Sequence, residues 1–77
     1  MKHFLEYVVR SLVDNPDDVQ VSEVAGAAET SYRIGLHPDD VGLVIGKGGR
    51  TISAIRSVIN AANKAGTHLA VEVVENS

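Results

Sequence analysis

The chain contains no cysteine. That excludes disulfides, zinc fingers, iron–sulfur clusters and thiol catalysis, and it suits a reducing interior. No apolar run approaches the roughly 20 residues that a membrane-spanning helix needs. The first sixteen residues, MKHFLEYVVRSLVDNP, carry acids inside their apolar pattern and show no small-residue cleavage site. They do not read as a signal peptide, so a cytoplasmic protein without membrane insertion is expected. Aromatic residues are few: Phe4, Tyr7 and Tyr32. All three fall in the apolar pattern, so no platform for stacked bases is evident. His3, His37 and His68 are scattered, with no carboxylate–histidine pair at ligand spacing, so neither a metal site nor a catalytic histidine nor a cofactor is expected.

Acidic residues are missing from one long segment. Between Val41 and Val71 stand Lys47, Arg50, Arg56 and Lys64, without a single Asp or Glu. That segment carries +4 and the remainder −7, which together make the net −3. A nucleic-acid-binding domain is usually basic throughout. The acidic remainder therefore argues against strong non-specific binding, and not against a local anion site.

The chain has 77 residues, of which 44% are hydrophobic and 22% charged. That is globular composition for one small domain spanning residues 1–77, whose modest buried fraction leaves room for help from a partner or a second copy. Leu5, Val8, Val9 and Leu12 recur at helical spacing with Phe4 beside them, which predicts an amphipathic helix over 2–14 ended by Asp14-Asn15-Pro16. Val19 and Val21 alternate with polar neighbours and the phase slips at Val24, which predicts a strand over 18–24 carrying a bulge. A small-residue turn, Ala25 to Glu29, leads to a half-buried strand in which Tyr32, Ile34 and Leu36 alternate with Ser31, Arg33 and Gly35. Pro38, Asp39 and Asp40 open a short helix, since proline and acids suit a helix start. Val41, Val44 and Ile45 form its apolar face. Ile52, Ile55, Ile59 and Ala62 stripe a longer helix over about 50–64, with Gly66 as its stop and Lys64 complementing its C-terminal dipole. Leu69, Val71 and Val73 alternate in a last strand. The order is α-β-β-α-α-β, an α+β arrangement whose stripes are all buried if three helices cover one face of a three-stranded sheet.

The densest signal is Val44-Ile45-Gly46-Lys47-Gly48-Gly49-Arg50-Thr51-Ile52. It places a four-residue glycine loop directly before the longer helix, where unpaired N–H groups and a partial positive charge attract anions. Lys47 and Arg50 add full charges, and Ile45 and Ile52 pin the loop from both sides. It is not a Walker loop, because Gly42 to Gly46 encloses three residues instead of four and Gly48 stands where a hydroxyl should hold magnesium. It is not a dinucleotide fingerprint either, because Thr51 occupies the third glycine's place and no βαβ unit surrounds it. What remains is a G-x-x-G between two helices in an isoleucine frame.

That combination resembles the KH domain in its type II arrangement. With YVVRSLVDNPDDVQV and IGKGGRTISAIR, the whole chain resembles the KhpA family of small bacterial KH proteins. The resemblance implies that Gly46, Lys47, Gly48 and Gly49 clamp about four nucleotides of single-stranded RNA. Arg50 would flank them. Val44, Ile45, Ile52 and Ile55 would frame the groove, and Arg56 is either a further contact or part of the solvated face. Members of the family commonly carry a larger polar residue where this chain has Gly48, and glycine there should loosen the loop. The resemblance further implies no catalysis, an RNA-chaperone or post-transcriptional role, and a homodimer or a heterodimer with a KhpB (Jag or EloR)-like protein, linked to cell elongation and division. The alternative expectation is an adaptor that works mainly through protein–protein contact.

Overall fold

Alternation of buried and exposed residues forces the strands into one layer. The computed structural model describes residues 1–63 and 66–76, so the expected role of Lys64 at a helix end lies outside the described residues. Strands β1 (Gln20–Ala25), β2 (Glu29–Leu36) and β3 (His68–Glu75) form one sheet in the order β1-β2-β3. β1 and β2 pair antiparallel from Gln20↔Gly35 to Ala25↔Thr30, one residue to one residue. The expected bulge at Val24 is therefore absent. Val24 breaks the apolar alternation because it lies opposite Ser31 on the open face, where it is exposed.

β2 and β3 pair parallel, Glu29↔His68 through Leu36↔Glu75. Parallel neighbours need a long crossover. Here it consists of α2 (Val41–Ile45), the glycine loop and α3 (Arg50–Ala62). The loop thus sits in the middle of the connection, held by helices at both ends. With α1 (Lys2–Leu12), three α-helices are present among the described residues, and all three pack on the sheet. Val21, Tyr32, Ile34, Leu36, Leu69 and Val71 point from the strands into the core; Leu5, Val9, Val44, Ile52, Ile55 and Ile59 meet them from the helices. Each fully buried aliphatic side chain of this kind contributes roughly 1.5–3 kcal/mol. This is the α+β, α-β-β-α-α-β arrangement that the pattern predicts, with helix ends shifted: α1 stops at Leu12 and α3 at Ala62.

Part of the expected apolar pattern needs correction. Phe4, Tyr7 and Leu12 of α1 and Ala62 of α3 are exposed, not core residues. The helix turns only Leu5 and Val9 fully inward, with Val8 and Val13 packed at the margin. Asp40, expected as a helix-start acid, is almost wholly buried. Pro38–Asp40 form a 3-10 turn whose N-cap is His37, which accepts the Asp39 N–H at Nδ1, 3.1 Å away. Asp40 turns inward instead. Its carboxylate accepts the backbone N–H groups of Asp14 (3.3 Å) and Asn15 (3.0 Å) and the Asn15 side-chain amide (3.1 Å). Burial pushes this carboxyl upward, but the Asn15 and Asp14 hydrogen bonds, with His37 adding attraction, outweigh it and hold the group below its ordinary value of 3.8. Tyr32 is buried with its hydroxyl donating to Glu23 Oε2 at 2.8 Å. Burial first, then that bond and the Glu23 charge, push the phenol up to about 12.

Candidate nucleic-acid interface

Gly46 ends α2 and starts the loop. Its φ of 77° and ψ of 171° lie in a region that only glycine occupies readily. A Cβ there would also press on Thr51, whose backbone nitrogen would be 2.8 Å away. Sequence reasoning passed over Thr51, yet it is the residue that leaves no room at Gly46. Lys47–Gly49 form a single 3-10 turn, with Gly48 at φ 64°, ψ 19° and Gly49 at φ 77°, ψ 14°. Nothing lies within 4 Å of where their Cβ atoms would be. The two glycines therefore present bare backbone outward.

The loop's internal bonds run from the Gly46 N–H to Gly42 O (2.9 Å), from the Gly49 N–H to Gly46 O (3.1 Å), and from the Arg50 N–H to Lys47 O. The amides of Lys47 and Gly48 take part in none of them. Lys47 and Arg50 are exposed, and among the described residues neither forms an ion pair. Arg10 and Arg33, by contrast, are tied to Glu6 and Glu72. Two cations without an ion pair among the described residues, and free amides in the turn just before a 13-residue helix, are an arrangement that attracts anions.

The apolar frame divides by burial. Val44 is wholly buried, and Ile52 and Ile55 nearly so. They anchor the loop in the core and offer almost no surface to a ligand. Ile45 is half-buried, and Leu43 beside it on α2 is 45% exposed. Leu43 escaped the sequence reading because the inward positions of that helix were assigned to Val41, Val44 and Ile45. Arg56 is brought to the far edge of β3, where its guanidinium donates to Val71 O at 3.1 Å. It belongs neither to the loop cluster nor to the free solvated face.

A second surface shares Ile55 with the expected site and is otherwise built from other residues. Phe4, Val8 and Leu12 of α1 and Thr51, Ala54, Ile55 and Val58 of α3 enclose an apolar furrow of about 270 Å³. Val58 is 51% and Phe4 43% exposed. The furrow lies on the side of α3 opposite Arg56, so the two surfaces are separate.

A sequence model described as KhpA/KhpB, KH domain, matches residues 2–73. A Clostridium acetobutylicum protein named RNA-binding protein KhpA is 48% identical over 75 residues, covering 96% of this chain and all of that protein. The Mycobacterium leprae protein of the same name is 45% identical over 71 residues, covering 92% of this chain and 86% of its own length. That of Chlamydia pneumoniae is 38% identical over 76 residues, covering 97% of each.

Proposed function

The chain belongs to the KhpA/KhpB KH-domain family, and from that premise we propose that it is a non-catalytic, cytoplasmic protein that binds single-stranded RNA through its glycine loop. The observation that carries this reading is the exposed, unpaired Lys47 beside open backbone at Gly48 and Gly49, set on the N-terminus of α3. Phosphate oxygens of a single strand would accept from the Lys47 and Gly48 amides and pair with Lys47 and Arg50. A loop of this type engages about four nucleotides. The relatives named as RNA-binding proteins support the partner class.

One such cleft binds weakly and with strong salt dependence. Pairing two clefts raises the effective affinity when both engage one strand. The protein therefore works as a dimer, with a second copy or with a KhpB (Jag or EloR)-like chain, in post-transcriptional control that the family resemblance ties to cell elongation and division. Support for pairing comes from the exposed apolar furrow between α1 and α3. The same furrow favours the second reading, an adaptor whose principal contacts are with protein.

Replacing Lys47 and Gly48 together with Asp separates the two readings. Two acids at the loop repel phosphate and leave the core intact. The folded double variant is expected to lose short-oligoribonucleotide binding at least tenfold, the order expected from the like-charge contacts it introduces, while keeping its oligomeric state. Unchanged RNA affinity in that variant rules out the clamp.

A further inference from the structure

β3 is an edge strand, with β2 on one side and, among the described residues, no strand on the other. Both α2 and α3 pack on it, so its free edge lies beside the two helices that hold the glycine loop. Edge strands normally present alternating N–H and C=O groups. Here two carbonyls are already taken. Asn60 donates from Nδ2 to Leu69 O and to Arg56 O, both at 2.9 Å, and its Oδ1 accepts the Leu69 N–H at 2.9 Å. Both of its donors are therefore committed. Arg56 donates from one nitrogen to Val71 O at 3.1 Å.

A guanidinium has five N–H donors and no acceptor. One bond to Val71 fixes the Arg56 fork and leaves its other donors free on an exposed side chain. The neighbouring carbonyls on the edge, Leu69 O and Val71 O, each already accept a side-chain N–H. Arg56 thus adds free donors to this edge. Arg56 lies six residues beyond Arg50, about 9 Å along α3 at 1.5 Å per residue. That is within the span of the four nucleotides such a loop clamps.

We propose that Arg56 is a base-reading residue, held in place by Val71 O, and that it selects guanine or cytosine over adenine and uracil at one position of the bound strand. Guanine carries two adjacent acceptors, O6 and N7, which match a guanidinium fork. Adenine sets its N6 amino donor beside N7 and points it at the guanidinium donors. In a single strand the Watson–Crick edge is open as well; there cytosine offers the adjacent acceptors O2 and N3, whereas uracil sets its N3–H donor between O2 and O4. This inference rests on the reading of the loop as an RNA clamp.

The test is an NMR titration of the full chain with the pentaribonucleotides UUGUU, UUAUU, UUCUU and UUUUU, and with UUGUU carrying 7-deazaguanine. A bidentate contact of this kind discriminates by roughly tenfold or more. UUGUU and UUCUU are expected to bind about tenfold more tightly than UUAUU and UUUUU, and 7-deazaguanine to remove most of the guanine advantage. In Arg56→Gln the advantage is expected to vanish while the Gly46–Arg50 amides still respond to every oligonucleotide. Equal affinity for all four bases, preference for adenine or uracil, or a guanine or cytosine advantage retained in Arg56→Gln overturns the inference alone. Loop amides that respond to none of the oligonucleotides overturn the clamp, and this inference with it. The 7-deazaguanine comparison uses the unaltered protein, so a misfolded variant cannot decide the result.

Discussion

Three residues of one loop, all glycine and all at positive φ, are not equivalent. Gly46 combines a glycine-only backbone region with contact against Thr51, whereas Gly48 has a left-handed backbone and open space around it. Gly46→Ala is expected to cost about 2–4 kcal/mol, from backbone strain and overpacking together. Gly48→Ala should cost about 1 kcal/mol, and Gly48→Asn less, because asparagine tolerates that conformation. Urea unfolding of the three variants checks the order. Equal losses at both positions would mean that the Thr51 contact does not constrain the loop. The glycine pattern was legible in the sequence as a loop. Which glycine is obligatory was not, because the backbone angles and the position of Thr51 are consequences of the folded crossover.

Between elements, the Asp40 carboxylate joins the start of the α2 region to the segment after α1. It accepts two backbone N–H groups and one side-chain amide from Asp14 and Asn15. Its pKa is lowered in the folded state, so the folded protein binds the proton less readily than the unfolded chain. The stability it contributes is present above the ordinary value of 3.8 and is lost as pH falls below that. Asp40→Ala is expected to lower the melting temperature at pH 7 and to flatten its decline between about pH 5 and pH 2, the window over which a stabilised carboxylate protonates. Thermal melts followed by circular dichroism across that range read both effects. A variant whose acid profile parallels the parent's would remove Asp40 from the account. The sequence identifies Asp39 and Asp40 only as acids near a helix start. Their opposite fates, one exposed and one buried, depend on Asn15 arriving from a segment 25 residues away.

At the scale of the whole molecule, the acidic chain gathers its unpaired loop cations on one side of α3's N-terminus and an apolar furrow between α1 and α3 on another side. If the furrow pairs two chains, Val58→Asp places a charge in a dry contact and should convert the dimer to monomer. Light scattering at micromolar concentration measures the mass, and an unchanged dimer would locate the interface elsewhere. RNA affinity per chain at the loop should survive that change, since Val58 stands about two turns along α3 from the loop. By itself the sequence determined the element order, the buried stripes of α3 and β2, the basic acid-free segment and the glycine loop, because periodicity and charge are local properties of a chain. Only the tertiary structure decided that Phe4 and Leu12 remain outside, that Asp40 is an internal tie, and that Arg56 rests on the β3 edge. Each depends on which distant residue meets it across the packed core, and spacing along the chain carries no record of that encounter.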